Sequence, residues 1–381
     1  MPPDEEPGLA GLFRYFFKLA WIGFGGPLAH ISMMQHDTVE KKRWLSRDEF
    51  TEILGMTNML PGPNSTELAI HIGYVKGGRI GAFVSGLAFT LPAFFIMLVL
   101  SWLYFQLGSI PSIAGLFYGI NPAVIAIIVI TAVRLGRSSA GDARSLTIAV
   151  AVFLAVLLTD VNEAIVLLSA GIAGLLLYAP RRMKSALFIL VLGPPSLFAS
   201  ISLGALPAWL QVFWVFLKAG ALLFGSGLVI VPLIASEVVG DFGWMSYRQF
   251  FDGVTLGQVT PGPVVKTAAF VGYSVGGVFG AGVATLGVFL PPFVIVTLLA
   301  PLFRKMKSNK ILQAFLKGVR PGAVGAILAV AVTLGETALI DVWTVAIAAV
   351  SLTALAKFKA SIPLVVVTCG LAGVAITFLH V

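Results

Sequence analysis

Two Pro-Gly-Pro motifs, at residues 61–63 and 261–263, are the features of this sequence best suited to bind an anion. A proline suits the first position of a helix, where the N–H that it lacks has no intrahelical partner. The free N–H groups of the next residues and the helix dipole then direct positive potential at whatever lies beside the motif. Two such helix starts that meet from opposite sides would form an anion cradle. The predicted substrate-binding residues here are Pro61, Gly62, Pro63, Asn64, Ser65, Thr66, Pro261, Gly262, Pro263 and Lys266, with Thr267 as a further neutral donor that suits an oxyanion.

Three lysines lie within or beside apolar segments, where an ammonium group costs about 2.5–3.5 kcal/mol and is normally paired or functional. Lys18 and Lys218 precede two Phe-Gly breaks by six residues each, and Lys266 directly follows the second Pro-Gly-Pro. The site requires that Lys18 and Lys218 meet; the alternative is that both snorkel to the membrane interface. The two Phe-Gly breaks add Phe24, Gly25, Gly26, Phe224, Gly225 and Ser226 to the predicted substrate site.

Glu67 and His71 follow the first Pro-Gly-Pro and are separated by one helical turn, so they share a face if this segment is helical. A carboxyl and an imidazole in that position could carry protons. The alternative is a polar pair that only stabilises its helix. The second copy has an alanine or threonine and a phenylalanine opposite them, so any proton-coupling role belongs to one half.

The composition places these residues in a membrane protein. Hydrophobic residues form 58% of the 381 residues, charged residues only 11%, and the net charge is +8. Soluble domains have about 25% charged residues. The basic residues fall in short loops, as in the positive-inside pattern, so no nucleic-acid partner is expected. The single Cys369 excludes a disulfide framework, and the four histidines lack the spacing of a metal site; no metal and no cofactor are predicted.

The chain is duplicated. Landmarks of residues 13–178 recur in 213–380 at an offset of 200 residues, which becomes 199 after one gap. We divide the chain into a first half (1–179), a linker with an unmatched apolar segment (180–208) and a second half (209–381). Matched loops carry opposite charge: the basic loop 41–47 corresponds to an acidic one at 241–247. Because basic short loops stay in the cytoplasm, the halves should lie upside down relative to each other.

These patterns predict an all-α polytopic membrane protein with two inverted-topology homologous halves and Gly/Pro-broken re-entrant helices at the centre. The charge pattern requires that 50–75 dips into the membrane and returns, and that 11–34 and 209–233 are bent near their glycines. Nine full crossings are expected, one of them formed by 186–204. The glycines at 77, 78 and 81, and their copies at 276, 277 and 280, are interpreted as close helix contacts rather than hinges.

The motifs resemble those of the long-chain chromate ion transporter family. The resemblance rests on Phe24–His30, on the Arg43-Trp44-Leu45 loop, on residues 60–74 (LPGPNSTELAIHIGY) and on 259–263 (VTPGP), in the same order over nearly the whole chain. It implies a two-domain inner-membrane carrier with inverted halves that exports chromate and confers resistance. Two departures are Lys266, where an apolar residue or threonine is familiar, and the acidic stretch from Glu237 to Asp241, where a basic one is.

The leading hypothesis is therefore a multi-pass inner-membrane carrier that exports chromate, a divalent tetrahedral oxyanion. A carrier of sulfate or another oxyanion and an anion channel are the alternatives. Proton antiport and uniport both stay open, as does a homodimer. A membrane-embedded enzyme is disfavoured because the catalytic groupings that it would need are missing from the sequence. The expected partners are the transported anion and the lipid bilayer.

Overall fold

The computed structural model describes residues 6–24, 26–107, 110–139, 141–159, 161–179, 206–224, 226–263, 266–299 and 309–379. These parts are helical and contain no strand of a sheet. The first half contains the helices α1 (Leu9–Ile22), α2 (Gly26–Gln35), α3 (Arg47–Thr57), α4 (Asn64–Leu107), α5 (Pro111–Ser139), α6 (Ala143–Leu158) and α7 (Glu163–Tyr178). The second half contains α8 (Ala208–Leu222), α9 (Ile230–Ala235), α10 (Tyr247–Val259), α11 (Thr267–Leu299), α12 (Lys310–Ala338), α13 (Val342–Ala356) and α14 (Ile362–Leu379). The prediction of an all-α polytopic protein is confirmed.

The helix starts recur in both halves because the same capping residues recur. Ser46 and Ser246 each form a capping box at the start of α3 and α10, with Glu49 and Gln249 as partners. The starts of α6 and α13 repeat this with Asp142 and Asp341. A π-helical turn follows α2 at His36–Lys41 and follows α9 at Ser236–Asp241. Local sequence therefore builds the same series of elements twice.

α4 and α11 bend at the same place. Gly77-Gly78 interrupts α4 and Gly276-Gly277 interrupts α11, with φ of +59° at Gly78 and +57° at Gly277. This left-handed conformation favours glycine because it lacks a Cβ. These four glycines make the bend, so their interpretation as close helix contacts was wrong. That interpretation is confirmed for Gly81 and Gly280: a Cβ on either would lie 2.2 and 2.1 Å from a carbonyl oxygen across the bend.

One long helix of each half packs against two helices of the other half. α5 packs against α13 and α14, and α12 packs in the same way against α6 and α7. Glycines permit the close approach: a Cβ on Gly119 would lie 1.9 Å from the Cys369 carbonyl oxygen, and one on Gly318 would lie 1.9 Å from that of Ala170. These two contacts are matched at the repeat offset of 199 residues. The halves are thus related by reciprocal contacts, which we call the crossed packing of α5 and α12.

Five described helices, α4, α5, α11, α12 and α14, have the length and apolar composition to cross a membrane. The helices α6, α7, α8 and α13 are also apolar but shorter. The segment 186–204, predicted as an unmatched crossing, lies outside the described residues. The helix breaks are where the sequence predicted them: α1 ends at Ile22 before α2 begins at Gly26, and α8 ends at Leu222. The number of nine crossings and the inversion stay predictions.

Candidate functional site

The two Pro-Gly-Pro loops each pair with the Phe-Gly break of the other half. The Gly62 N–H donates to the Leu223 carbonyl oxygen at 2.5 Å, and Pro61 forms an antiparallel bridge with Phe224. The matched bond runs from the Gly262 N–H to the Gly23 carbonyl oxygen, at 3.2 Å. The structure thus brings each Pro-Gly-Pro loop against the broken segment of the opposite half. Gly25 and Gly225, predicted as part of this site, lie outside the described residues.

The side chains of the two Phe-Gly breaks differ in exposure and in role. Phe24 is exposed, whereas Phe224 is half-buried and contacts the Phe315 ring, with 6.4 Å between the centroids. Gly26 has a φ of +77° at the start of α2. Ser226 caps the short helical turn Gly227–Val229, because its hydroxyl oxygen accepts the Leu228 N–H at 3.3 Å. Ser226 therefore has a clear structural role at the start of that turn.

The first helix start is buried and polar. Asn64, Ser65 and Thr66 open α4, and each is at most 9% exposed. The Asn64 side-chain amide donates to Asn58 Oδ1 at 2.8 Å. The Thr66 hydroxyl has no hydrogen-bond partner among the described residues. A helix start with neutral donors held out of water is the environment that the sequence predicted for an oxyanion.

The Glu67 side chain covers this first helix start from the protein interior. Its side chain is completely buried, and neither carboxylate oxygen has a hydrogen-bond partner in the described part of the chain. The carboxyl lies against the Pro-Gly-Pro loop, since a Cβ on Gly62 would be 2.7 Å from Glu67 Oε1. His71 is buried one turn further along α4, as the spacing predicted.

The second helix start carries a cation instead. Lys266 is 6% exposed, and its ammonium donates to the carbonyl oxygens of Thr260 at 2.5 Å and Pro261 at 2.9 Å. These two carbonyls belong to the turn that leads into the second Pro-Gly-Pro. Such burial does not fit a lysine that snorkels to the membrane interface. Among the described residues no carboxylate forms an ion pair with this ammonium.

A small cavity adjoins Lys266 between α4 and α11. Its volume is about 10 Å³, and Thr90, Ala93, Phe94, Pro263, Lys266, Ala269, Thr285 and Phe289 line it. Such a volume holds about one water molecule. A tetrahedral oxyanion is larger than a water molecule, so this cavity is too small to hold one.

The lysines at the matched positions 18 and 218 have other surroundings. Lys18 is exposed, and Lys218 forms an ion pair with Glu237, which also accepts the Asn162 amide at 3.0 Å. Neither ammonium bonds to a Pro-Gly-Pro loop within the described ranges. The buried Glu237 belongs to the acidic stretch that departs from the family pattern. Its charge offsets that of Lys218. The meeting of Lys18 and Lys218 in one site stays a prediction, and no contact in the described residues supports it.

Sequence reasoning missed Arg320, in the middle of the apolar helix α12. Its guanidinium donates to the Asn58 carbonyl oxygen, at the end of α3 and directly before the first Pro-Gly-Pro loop. The matched residue of the first half, Asn121, reaches across in the same way to α10, where its amide donates to Asp252 Oδ1 at 2.8 Å. The signal in the sequence was an arginine beside Pro321 within an otherwise apolar run.

His30 was also missed as a site residue. It is fully buried on α2, and its Nε2 lies 2.8 Å from the Gly23 carbonyl oxygen, to which it donates. The same oxygen accepts the Gly262 N–H. His30 therefore fixes the break of the first half in the position that the second Pro-Gly-Pro requires.

Comparisons with known proteins give a consistent result. The family model described as chromate transporter matches residues 10–175 and 210–374. The chain is 37% identical to a chromate transport protein of Cupriavidus metallidurans, over 98% of this chain and 94% of that protein. It is also 37% identical to a probable chromate transport protein of Synechococcus elongatus, over 96% and 95% of the two chains. An uncharacterized transporter of Methanocaldococcus jannaschii is 30% identical over 91% and 88%. No solved structure matches the chain.

Proposed function

The chain belongs to the chromate transporter family, and from this membership we propose that it is a secondary transporter that exports chromate across the inner membrane. Its relatives are named transporters, so the chain is a transporter rather than an enzyme. Its long apolar helices make it a multi-pass membrane protein. The export direction, the site and the coupling are the finer parts of the proposal.

The proposed substrate site lies between the two Pro-Gly-Pro loops. The observation that carries this assignment is the reciprocal pairing of Gly62 with Leu223 and of Gly262 with Gly23. Broken backbone at membrane depth is tolerated only against protein or a water-filled cavity, and corresponding breaks in two repeats mark transport sites. Each loop also has one basic side chain beside it: Arg320 at the first and Lys266 at the second.

A dianion entering this site would meet two fixed cations and two helix starts. The matched lysines 18 and 218 complete the proposed electrostatic path, with Lys218 balanced by Glu237. A membrane potential that is negative inside favours anion exit by about 2.3 kcal/mol per charge per 100 mV, so export is downhill in electrical terms. Protons are proposed to couple to export through Glu67 and His71.

Transport requires that the closed site opens to each side in turn. The two halves, 1–179 and 209–381, are proposed to lie inverted in the membrane and to rock about the crossed packing of α5 and α12. Cysteines introduced singly into loops 41–47 and 241–247, in a Cys369→Ser background, test the inversion. An impermeant thiol reagent added to intact cells should label only the second loop. Labelling of both loops from the same side would contradict the inversion.

The function is tested by uptake of labelled chromate into proteoliposomes, with sulfate as competitor and with or without an imposed pH gradient. Saturable chromate flux is expected, and a response to the gradient would support proton coupling. Flux that does not saturate would favour an anion channel. Stronger transport of sulfate than of chromate would favour the alternative of a sulfate carrier, because the two anions share charge and tetrahedral shape. Absence of flux for both anions would contradict the proposal.

A further inference from the structure

The buried carboxyl of Glu67 lies where an anion at the first helix start would have to bind. Its Oε1 would be 2.7 Å from a Cβ on Gly62, so this carboxyl covers the middle of the Pro-Gly-Pro loop. The side chain is 0% exposed, and both oxygens lack a partner among the described residues. At the second loop, the atom nearest to a Cβ on Gly262 is the methyl carbon of Ala93, at 2.7 Å. An acid therefore fills this place in one half only.

We infer that the Glu67 carboxyl covers the first helix start, and that an oxyanion binds there only together with a proton on Glu67. The inference rests on the proposed oxyanion site and adds how that site is linked to protons. A carboxylate and a dianion repel each other strongly in a buried site, where no water screens them. A proton taken from the aqueous side neutralises the carboxylate, and the carboxyl can then leave the loop to the substrate.

The titratable groups around Glu67 do not bond to its carboxyl, so we assign the proton to Glu67. Several titratable side chains that are buried or half-buried lie on α4 near this end, on the elements packed against α4 and at the two loops. They are Tyr15 on α1, His30 on α2, Glu52 on α3, His71 and Tyr74 on α4, Asp252 on α10, Tyr273 on α11, Lys266 and Arg320. None of them donates a hydrogen bond to the Glu67 carboxyl in the described part of the protein. Asp252 is held by Tyr104 and Asn121, at 2.7 and 2.8 Å.

Linkage makes the inference measurable. If each bound oxyanion brings one proton, its affinity rises by up to about tenfold for each unit that the pH falls. Chromate itself takes up a proton near neutrality, whereas sulfate stays a dianion. The test therefore measures binding of both anions to the purified wild-type protein by calorimetry. Each titration is run in two buffers of different ionisation enthalpy, which counts the protons taken up on binding.

One proton per sulfate is expected in the wild type, and none in Glu67→Gln, which keeps the shape of the side chain without its charge. Glu336→Gln, at an exposed acid near the end of α12, serves as the control and should take up one proton like the wild type. For chromate, the proton uptake of Glu67→Gln is subtracted from that of the wild type. This removes the protons that chromate itself takes up.

Two outcomes overturn the inference. The first is sulfate binding to the wild type without proton uptake, which needs no variant to fold. The second is a Glu67→Gln variant that still takes up one proton, with His71→Gln abolishing the uptake, since the linked group would then be His71. A wild-type protein that binds neither anion contradicts the proposed function itself, which is a different result.

Discussion

The two Pro-Gly-Pro loops form matched backbone hydrogen bonds and differ in the charge of the side chain beside them. Both loops hold their glycine at positive φ, +154° at Gly62 and +92° at Gly262, and both bond to the break of the opposite half. At the first start the buried ionisable group is the acid Glu67, and at the second it is the base Lys266. The two halves therefore share the backbone pairing of these loops, whereas the buried side chains beside the loops differ.

This division has a physical reason. Bends, caps and close helix contacts are set by backbone geometry, which both halves need in order to pack reciprocally. The charge beside each loop has no such constraint, so an acid at the first loop and a base at the second are compatible with the same packing.

The largest effect in this comparison is expected from removing the cation of the second start. Lys266→Gln keeps a hydrogen-bond donor for the loop carbonyls but loses the charge. Loss of a buried charged partner costs about 2–5 kcal/mol, which is roughly 30-fold or more in oxyanion affinity. Chromate binding to the purified variant is the measurement. Lys310→Gln, at an exposed lysine at the start of α12, should change the affinity much less. Equal losses in the two variants would contradict the role given to Lys266.

A smaller loss is expected at the first start, where the cation is contributed by α12. Arg320→Gln should weaken chromate binding by about 10- to 100-fold, since hydrogen bonds to charged groups contribute about 1.5–3 kcal/mol. Arg134→Gln is the control: this exposed arginine donates to the Leu355 carbonyl oxygen at 3.4 Å and not to either loop. If both variants bind chromate as the wild type does, Arg320 only anchors the end of α3.

How much of the fold and of the candidate site could be predicted depends on how far apart in the sequence the contacting residues lie. The two Phe-Gly breaks and the start of α4 after the first Pro-Gly-Pro follow from local residue types, and the sequence placed them correctly. Arg320 and Asn58 are 262 residues apart, and no local pattern shows that α12 of one half reaches α3 of the other. The pairing of Lys218 with Glu237 was missed for another reason: the acid was assigned to a loop, whereas the π-helical turn carries it back towards α8.

The glycine bends of α4 and α11, by contrast, should contribute equally to the stability of the protein. Gly78→Ala and Gly277→Ala each force a Cβ into the left-handed region, which costs about 1–2 kcal/mol. Both sites are otherwise open, since no atom lies within 4 Å of the added Cβ. The melting temperature in detergent should fall by a similar amount in the two variants. Gly282→Ala, equally open but without positive φ, should be neutral or slightly stabilising. Unequal shifts would show that only one of the two bends is needed for stability.

The smallest expected effect concerns the matched caps Asp142 and Asp341, which lie at the starts of α6 and α13. The hydrogen bond from Tyr178 lowers the pKa of Asp142 from 3.8 to about 2, and the one from Tyr118 lowers the pKa of Asp341. Because both pKa values are depressed on folding, the stability that these caps contribute is present above about pH 4 and is lost as the pH falls through the folded-state pKa.

Removing a tyrosine hydroxyl should therefore move this loss of stability to higher pH. Tyr178→Phe raises the pKa of Asp142 towards its ordinary value, and Tyr118→Phe does the same for Asp341. Melting temperatures measured between pH 2 and pH 5 should show the shift in both variants relative to the wild type. The tyrosines come from different places, α7 of the same half for Asp142 and α5 of the opposite half for Asp341. A shift in Tyr178→Phe alone would mean that the hydrogen bond from Tyr118 to Asp341, which joins the two halves, is not formed in the membrane protein.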